Sequence, residues 1–216
     1  METLPDVLPA DPLAVAANWL AEAVADARQP NPNAMVLATV DARGQPSARV
    51  VLCKAIDAPS AEIHFYTNYH SRKGRELDAN PRAAVVFHWD HRHRQVRAEG
   101  VVERLAEADN DRYFQSRPWQ SRLGAWASRQ SEPVSSRGEL IAAVAATARR
   151  FSIPYAGPGS PEPATVDAQV PRPEHWGGYR LRVEAIELWV EGEFRIHDRA
   201  RWTRGTDGWS ATRLQP

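Results

Sequence analysis

The sequence lacks several features that would place it quickly. Its 216 residues carry 27 basic and 27 acidic side chains, so there is none of the basic excess that sequence-independent nucleic-acid binding uses. There is one cysteine, Cys53, which excludes an intramolecular disulfide and points to a reducing cytoplasm. Because Cys53 sits inside an apolar run, a packed thiol is expected rather than a nucleophile. No apolar stretch approaches the roughly 20 residues needed to cross a bilayer, and Met1 to Asp6 lacks the basic-then-apolar pattern of a secretory signal. No membrane association is therefore expected. G-x-G-x-x-G and Walker-type loops are missing as well, which removes the usual dinucleotide and nucleoside triphosphate readings.

What is present reads as many short strands with interspersed helices. Asp11-Pro12 starts a helix, with a capping carboxylate and a proline whose missing N–H costs nothing there. Leu13, Ala16, Ala17, Leu20 and Val24 give that helix an apolar face as far as about Ala27. Strands are predicted from Ala34 to Val40, Ser47 to Ile56, Glu62 to Thr67, Ala83 to Trp89 and Arg94 to Leu105. The last alternates, with Val96, Ala98, Gly100 and Val102 on one face. Helices are predicted from Ser71 to Ala79, Ala106 to Gln115 and Trp119 to Ser128. Another starts at a Ser136/Glu139 capping box and has Leu140, Val144, Ala148 and Phe151 as its apolar positions. Pro154 to Pro173 reads as a surface loop or partly disordered insertion. From Gly178 the alternation of Tyr179, Leu181 and Val183 changes phase to Ile186, Leu188 and Val190, predicting a bulge or break near Glu184-Ala185. Turns at Glu191-Gly192 and Gly205 to Gly208 make the end a three-strand meander. With no regular β-α-β alternation and no internal repeat, the fold class is mainly β (α+β): an antiparallel barrel with peripheral helices.

Three stretches carry chemistry. In Arg195-Ile196-His197-Asp198-Arg199, strand alternation would put Arg195, His197 and Arg199 on one face. Clustered cations become favourable when an anion or electron-rich ring lies against them. Taken alone, a solvated strand balanced by Glu191, Glu193 and Asp198 is the simpler reading. Ser71-Arg72-Lys73 at a helix start would converge on an anion, or else form a basic first turn in water. Arg117 and Ser121 flank a helix boundary at Pro118, and with Tyr113 one turn earlier they would meet a phosphate. His88, His91 and His93 suggest a metal, with His91 and His93 on one strand face. Arg92 and Arg94 argue against a bound cation, and no metal is expected. No Ser-His-Asp or Cys-His arrangement follows from spacing.

Taken together the segments resemble the pyridoxamine 5'-phosphate oxidase family, the FMN enzymes that make pyridoxal 5'-phosphate. The resemblance runs from Leu8-Pro9-Ala10-Asp11-Pro12 to Arg213-Leu214-Gln215-Pro216. In family order it includes Arg49-Val50-Val51-Leu52-Cys53-Lys54, Phe65-Tyr66-Thr67-Asn68, Ser71-Arg72-Lys73, Arg94-Gln95-Val96, Ser116-Arg117-Pro118, Ser128-Arg129-Gln130-Ser131, Trp176-Gly177-Gly178 and Arg195 to Arg199. Each motif is short, but the ordered set is specific.

The resemblance implies a single FMN-binding split β-barrel domain of antiparallel Greek-key type over residues 1–216. Residues 1–30 would form an N-terminal segment and helix, 154–173 an insertion, and 178–216 the strands that complete the active site. It implies a homodimer with FMN at the subunit interface. The flavin would be lined by Arg49, Val50, Val51, Leu52, Cys53, Lys54, Tyr66, Thr67, Arg72, Lys73, Gln95, Gln130, Ser131, Trp189 and Arg199. Lys54, Tyr113, Arg117 and Ser121 would take the substrate phosphate, while Arg195 and His197, the catalytic pair, would face the pyridine ring. The implied reaction is oxidation of pyridoxine 5'-phosphate or pyridoxamine 5'-phosphate to pyridoxal 5'-phosphate with O2 as acceptor. It releases H2O2 and, from the amine, ammonia. Three points depart from a simple fit, one being that the insertion from Pro154 to Gln169 exceeds the family pattern. Arg49 and Lys54 are five positions apart, which sends them to opposite faces unless the strand is bulged or ends. No counterpart is found before Leu8 to the Arg and Tyr that close over substrate in family members. The rival readings are a phenazine-type oxidase of the same fold, a non-catalytic flavin or pyridoxal phosphate carrier, and a nucleic-acid binder using His91 to Arg97.

Overall fold

A computed structural model describes residues 2–159 and 169–216; residues 160–168, inside the predicted insertion, lie outside the described residues. The strands are β1 (Ala34–Val40), β2 (Pro46–Asp57), β3 (Glu62–Asn68), β4 (Arg82–Trp89), β5 (Arg94–Arg104), β6 (Trp176–Val190), β7 (Asp198–Gly205) and β8 (Gly208–Leu214). The helices are α1 (Pro12–Asp26), α2 (Arg72–Ala79), α3 (Glu107–Ser116), α4 (Trp119–Ala127) and α5 (Arg137–Arg150). Their order in the sheet is β3-β2-β1-β4-β5-β6-β7-β8, and a further β3–β6 pairing closes six strands into an antiparallel barrel. The run β3-β2-β1-β4 is a Greek key, since three hairpin-linked strands are followed by a fourth lying beside the first. No helix among the described residues is long and apolar enough to cross a membrane.

The chain forms two compact units. The first comprises Met1–Phe65, Glu76–Glu103 and Tyr179–Pro216, and the second Tyr66–Arg75 and Arg104–Gly178. The core of the first is built by strict alternation: Met35 and Leu37, Ile63 and Phe65, Val85 and Phe87, Val96 and Ala98, and Leu181 and Val183 are all almost fully buried. Gly100 belongs to this packing, because a Cβ there would lie 1.9 Å from the Arg182 carbonyl oxygen. Asp11 caps α1 by accepting from the N–H groups of Leu13 and Ala14.

The buried face of α1 differs from the predicted one: Leu13, Ala16, Trp19 and Ala23 are buried, whereas Val24 is exposed. The face turns toward Trp19 because the Arg94 guanidinium lies over its ring, 4.7 Å from the centroid. Arg94 also pairs with Glu22 on the same helix.

The strand geometry settles the spacing problem in β2. The β2–β3 register shifts between Cys53 and Ala55, pairing Cys53 with Phe65 and Ala55 with His64, so Lys54 is the extra residue of a β-bulge. Parity counted from Arg49 therefore stops at Cys53. The Cys53 thiol is buried and bonded to the Ala55 carbonyl, and burial pushes its pKa up to about 12. It is a packed thiol, as expected. Of the bulge or break predicted in β6, a break is ruled out, since one strand runs through Glu184-Ala185. Ala185, where the phase changes, is also where pairing with β7 starts.

The second unit has its own core, in which Phe114, Leu123, Ala148, Ile153, Tyr155, Val170 and Trp176 pack together. The flanks of the predicted insertion, at Tyr155 and Val170, are thus core positions rather than surface loop. Ser136 caps α5 through the Glu139 N–H. The Glu139 carboxylate reaches back to Ser135, one residue earlier than a capping box requires. Leu140 was assigned to the apolar face but is 46% exposed, and Ala145 takes the inward position.

Candidate active site

In the second unit, the end of β3 and the start of α2 assemble a hydrogen-bonded cluster around a buried lysine. Thr67 and Lys73 are buried, and Lys73 Nζ donates to Thr67 Oγ1 (3.1 Å), Ser71 Oγ (3.2 Å) and Gln130 Oε1 (2.9 Å). Ser71 also accepts from the Gly74 N–H at the first turn of α2. Gln130 is delivered by a turn in which the Glu132 N–H bonds to the Arg129 carbonyl. Ser131 sits there at φ 72°, in the left-handed region that the third position of a type II turn uses. Asn68 fastens the same loop through the Ser128 carbonyl. Arg72, by contrast, is exposed. A cation backed by hydroxyls at a helix N-terminus is a donor set suited to a phosphate.

The second unit also holds an aromatic wall, which includes Tyr66, the residue before Thr67. Tyr66 stacks on Tyr113 with centroids 3.9 Å apart and on Trp176 at 5.5 Å. Two adjacent glycines seat it. A Cβ at Gly178 would lie 2.7 Å from the Tyr66 ring, and one at Gly177 would lie 2.0 Å from the Tyr69 Oη. Arg117, at the end of α3, lies over Trp176 at 4.5 Å, and its Nη1 is buried without a hydrogen-bond partner among the described residues. Burial lowers the pKa of Arg117; Tyr113 opposes that shift and the charge of Arg122 adds to it. The Nε of Arg122 is likewise buried without a partner among the described residues, while its Nη1 bonds to Gln115. Ser121 is on the exposed side of α4. The structure thus brings Tyr66, Tyr113 and Arg117 together, and Thr67, Lys73 and Gln130 together.

In the first unit the Arg195–Arg199 stretch is not one strand, which corrects the predicted common face. Glu193–Arg195 is a short 3-10 turn, Phe194 and Arg195 have φ of 54° and 65°, and β7 begins only at Asp198. The reason is a tight closure. The Gly192 N–H donates to His197 Nδ1 (3.2 Å), and a Cβ on Gly192 would lie 1.8 Å from the Ile196 carbonyl oxygen. His197 packs on Trp189, with ring centroids 4.7 Å apart. Accepting at Nδ1 places the proton of the neutral imidazole on Nε2. Arg195 is exposed. Arg199 donates to Glu187 from Nε (3.0 Å) and Nη2 (2.9 Å) and to the Gln215 carbonyl from Nη1. Arg49 is similarly engaged, with Glu76 at 3.1 Å and with Thr39 and Ser47.

The remaining predicted residues lie on the first unit's strands. Lys54 is exposed at the bulge, Val50 and Leu52 are exposed, Val51 is half-buried on β2, and Gln95 is half-buried opposite His88. The histidines do not share a strand face as expected. His91 lies in a 3-10 turn and pairs with Asp26, while His93 is left-handed and pairs with Glu191. The polar hairpin tip curls before β5 begins, which separates them. No group of three metal-ligating side chains occurs among the described residues.

A family profile described as "Pyridoxamine 5'-phosphate oxidase" matches residues 20–151, more than half of the chain. A second, the "Pyridoxine 5'-phosphate oxidase C-terminal dimerisation region", matches residues 176–216. The chain belongs to the pyridoxamine 5'-phosphate oxidase family. It is 50% identical over 208 residues to the pyridoxine/pyridoxamine 5'-phosphate oxidase of Bordetella pertussis, covering 96% of this chain and 90% of that protein. With the enzyme of the same name from Cereibacter sphaeroides it shares 48% over 209 residues, 95% of each. Among solved structures, PhzG from Burkholderia lata, in complex with tetrahydrophenazine-1-carboxylic acid, superposes with a TM-score of 0.83. Its identity is 31%, and the match covers 98% of this chain and 95% of that one. An FMN-binding protein from Nostoc punctiforme shares the fold at a TM-score of 0.70 and 14% identity, covering 94% and 96% of the two chains. These findings place the chain among the oxidoreductases of this family.

Sequence reasoning missed four residues of the family clusters. Glu76 and Glu187 are the carboxylates that engage Arg49 and Arg199, Trp176 is the platform under Arg117, and Arg122 is its cationic neighbour. Only Trp176 carried a signal, as the first residue of the Trp176-Gly177-Gly178 motif.

Proposed function

We propose that the chain oxidises pyridoxine 5'-phosphate or pyridoxamine 5'-phosphate to pyridoxal 5'-phosphate with FMN and O2. The alcohol and O2 give the aldehyde and H2O2; the amine, O2 and water give the aldehyde, ammonia and H2O2. The observation that carries the reading is Arg117, whose buried Nη1 has no acceptor among the described residues and which lies against the Tyr66–Tyr113–Trp176 wall. A guanidinium left short of acceptors in a partly desolvated setting favours a phosphate dianion.

Residue roles follow from chemistry and the family motifs. Lys73, Thr67, Ser71 and Gln130 fit a flavin phosphate, with Arg49, Lys54, Tyr66, Arg72, Gln95, Ser131, Trp189 and Arg199 as the further flavin residues. When bound, FMN supplies the two-electron acceptor that O2 then reoxidises. Arg117, Tyr113, Ser121 and Lys54 anchor the substrate phosphate and fix the reacting carbon in register. Arg195 presents its charge to the pyridine ring and favours electron density there. His197, held at Nδ1 by the Gly192 N–H, leaves Nε2 to meet the substrate and orients it.

A homodimer fits the matched dimerisation region, and the exposed Val36, Val50 and Leu52 on β1 and β2 give two copies apolar area to bury. The free thiol of Cys53 fits a cytoplasmic setting. The likeness to PhzG supports a second reading, a phenazine-type oxidase, at 31% identity against 50% for the oxidase relatives. The test is an absorption spectrum of the purified protein followed by oxygen uptake. A flavin band and H2O2 formation with pyridoxine 5'-phosphate are expected. Turnover of tetrahydrophenazine-1-carboxylic acid alone would favour the second reading, and no turnover of either would favour a carrier.

A further inference from the structure

We infer that Asp198 is a positioning residue that fastens the Arg195–His197 turn to the N-terminal segment and to the last strand. The inference rests on the oxidase reading only for its kinetic arm. Asp198 is the first residue of β7, immediately after His197. Its Oδ2 accepts from the Leu4 N–H (2.7 Å) and its Oδ1 from Arg213 Nη1 (2.6 Å). Arg213 in turn donates from Nη2 to the Pro5 carbonyl (2.8 Å). One carboxylate, one guanidinium and the backbone on either side of Leu4 thus form a closed ring of bonds, and the Leu4 side chain is buried beside it.

The same strand holds the N-terminal segment at a second point. Alternation puts Asp198, Ala200 and Trp202 on one face of β7 and Arg199 and Arg201 on the other. Trp202, fully buried, donates from Nε1 to the Pro9 carbonyl (2.8 Å). Arg199 and Arg201 turn instead to Glu187 and Glu99. Asp198 is therefore flanked by two candidate site residues while its own side chain is used entirely as an anchor.

The backbone just upstream explains why an anchor is needed. Phe194 and Arg195 both adopt positive φ, a conformation that residues with a Cβ keep only when their surroundings dictate it. Phe194 is 91% exposed and Ile196 71%, so side-chain packing does little to hold this turn. Within the first unit the turn is held by the Gly192–His197 bond, the Ile196 N–H to the Glu193 carbonyl and the His197–Trp189 ring contact on one side, and by the Asp198 side chain on the other. Without the second, Arg195 and His197 lose their defined placement while the phosphate anchors of the other unit keep theirs.

The experiment compares the FMN-loaded wild type with Asp198→Ala and Arg213→Met. Two readouts are taken: steady-state kinetics with pyridoxine 5'-phosphate per bound flavin, and the rate of tryptic cleavage after Arg195 followed by mass spectrometry. For Asp198→Ala a roughly tenfold fall in kcat is expected with KM within about twofold, together with faster cleavage at Arg195. Arg213→Met, which keeps the alkyl stem, should change both in the same direction by about threefold, and it stands in if Asp198→Ala does not fold. A purely structural role would lower flavin content and leave kcat per flavin unchanged, and that result overturns the inference. If the wild type does not oxidise pyridoxine 5'-phosphate, the oxidase reading fails but the anchoring is still tested. Faster cleavage at Arg195 would sustain it and an unchanged rate would overturn it.

Discussion

Arg117 and Arg199 are both half-buried arginines on family motifs, yet their surroundings are opposite. Arg199 spends every nitrogen inside the protein, on the buried Glu187 carboxylate and the Gln215 carbonyl. Arg117 lies on an aromatic ring with Nη1 buried and unmatched among the described residues, and another arginine bears on it. A saturated guanidinium holds strands in register, whereas one short of acceptors gains most when an anion arrives. Arg49, committed to Glu76, belongs with Arg199. The contrast separates guanidiniums already committed within the protein from one that has binding energy left to use.

The largest expected effect comes from removing the under-partnered arginine. Arg117→Ala should lower kcat/KM for pyridoxine 5'-phosphate by about 3 kcal/mol, on the order of hundredfold, mostly through KM. Flavin content and folding stability should stay unchanged; a loss confined to flavin retention would show that the wrong phosphate is assigned. Arg195→Ala should cut kcat by about hundredfold, as loss of one charge-stabilising donor does, while FMN stays bound. Unchanged turnover would refute that role.

Glu187→Ala breaks the comparison from the other side. It leaves the Arg199 guanidinium without its buried acceptor, and a loss of about 2 kcal/mol in urea-unfolding stability is expected. If Arg117→Ala destabilised the protein and Glu187→Ala did not, the division between building and binding residues would be reversed.

A smaller effect lies at α1. The Arg94 hydrogen bond leads in holding the Glu22 carboxyl below its ordinary value of 4.5, against the opposing pull of burial. A depressed folded pKa means its contribution is full above the ordinary value and is lost as pH falls through the folded one. Acid unfolding should therefore steepen below about pH 4.5 in the wild type and be shallower in Glu22→Gln, by circular dichroism.

Much of this architecture was legible because alternation is a local signal, and β1, β3, β4 and β5 follow it. It failed where a distant partner decides. The α1 face turned on Arg94 meeting Trp19, which no helical period reports. Lys54 needed the β3 register to reveal its bulge. The Arg195–Arg199 stretch looked like a strand because its residue types suit one, whereas Gly192 closing on His197 forces left-handed backbone at two residues that are not glycine. In the site, the motifs named Tyr66, Lys73 and Arg117. The reason for Gly177 and Gly178 lay in rings met across long range, with Tyr69 reaching the Gly178 carbonyl 109 positions away. The partner carboxylates Glu76 and Glu187 carried no motif signal at all.

The central claim is that binding energy for the substrate resides in its phosphate, held by Arg117 and its neighbours. It is tested most directly by measuring kcat/KM for pyridoxine 5'-phosphate and for pyridoxine on the FMN-loaded enzyme. A preference of about hundredfold or more for the phosphate ester is expected, and equal values for the two substrates would contradict the account.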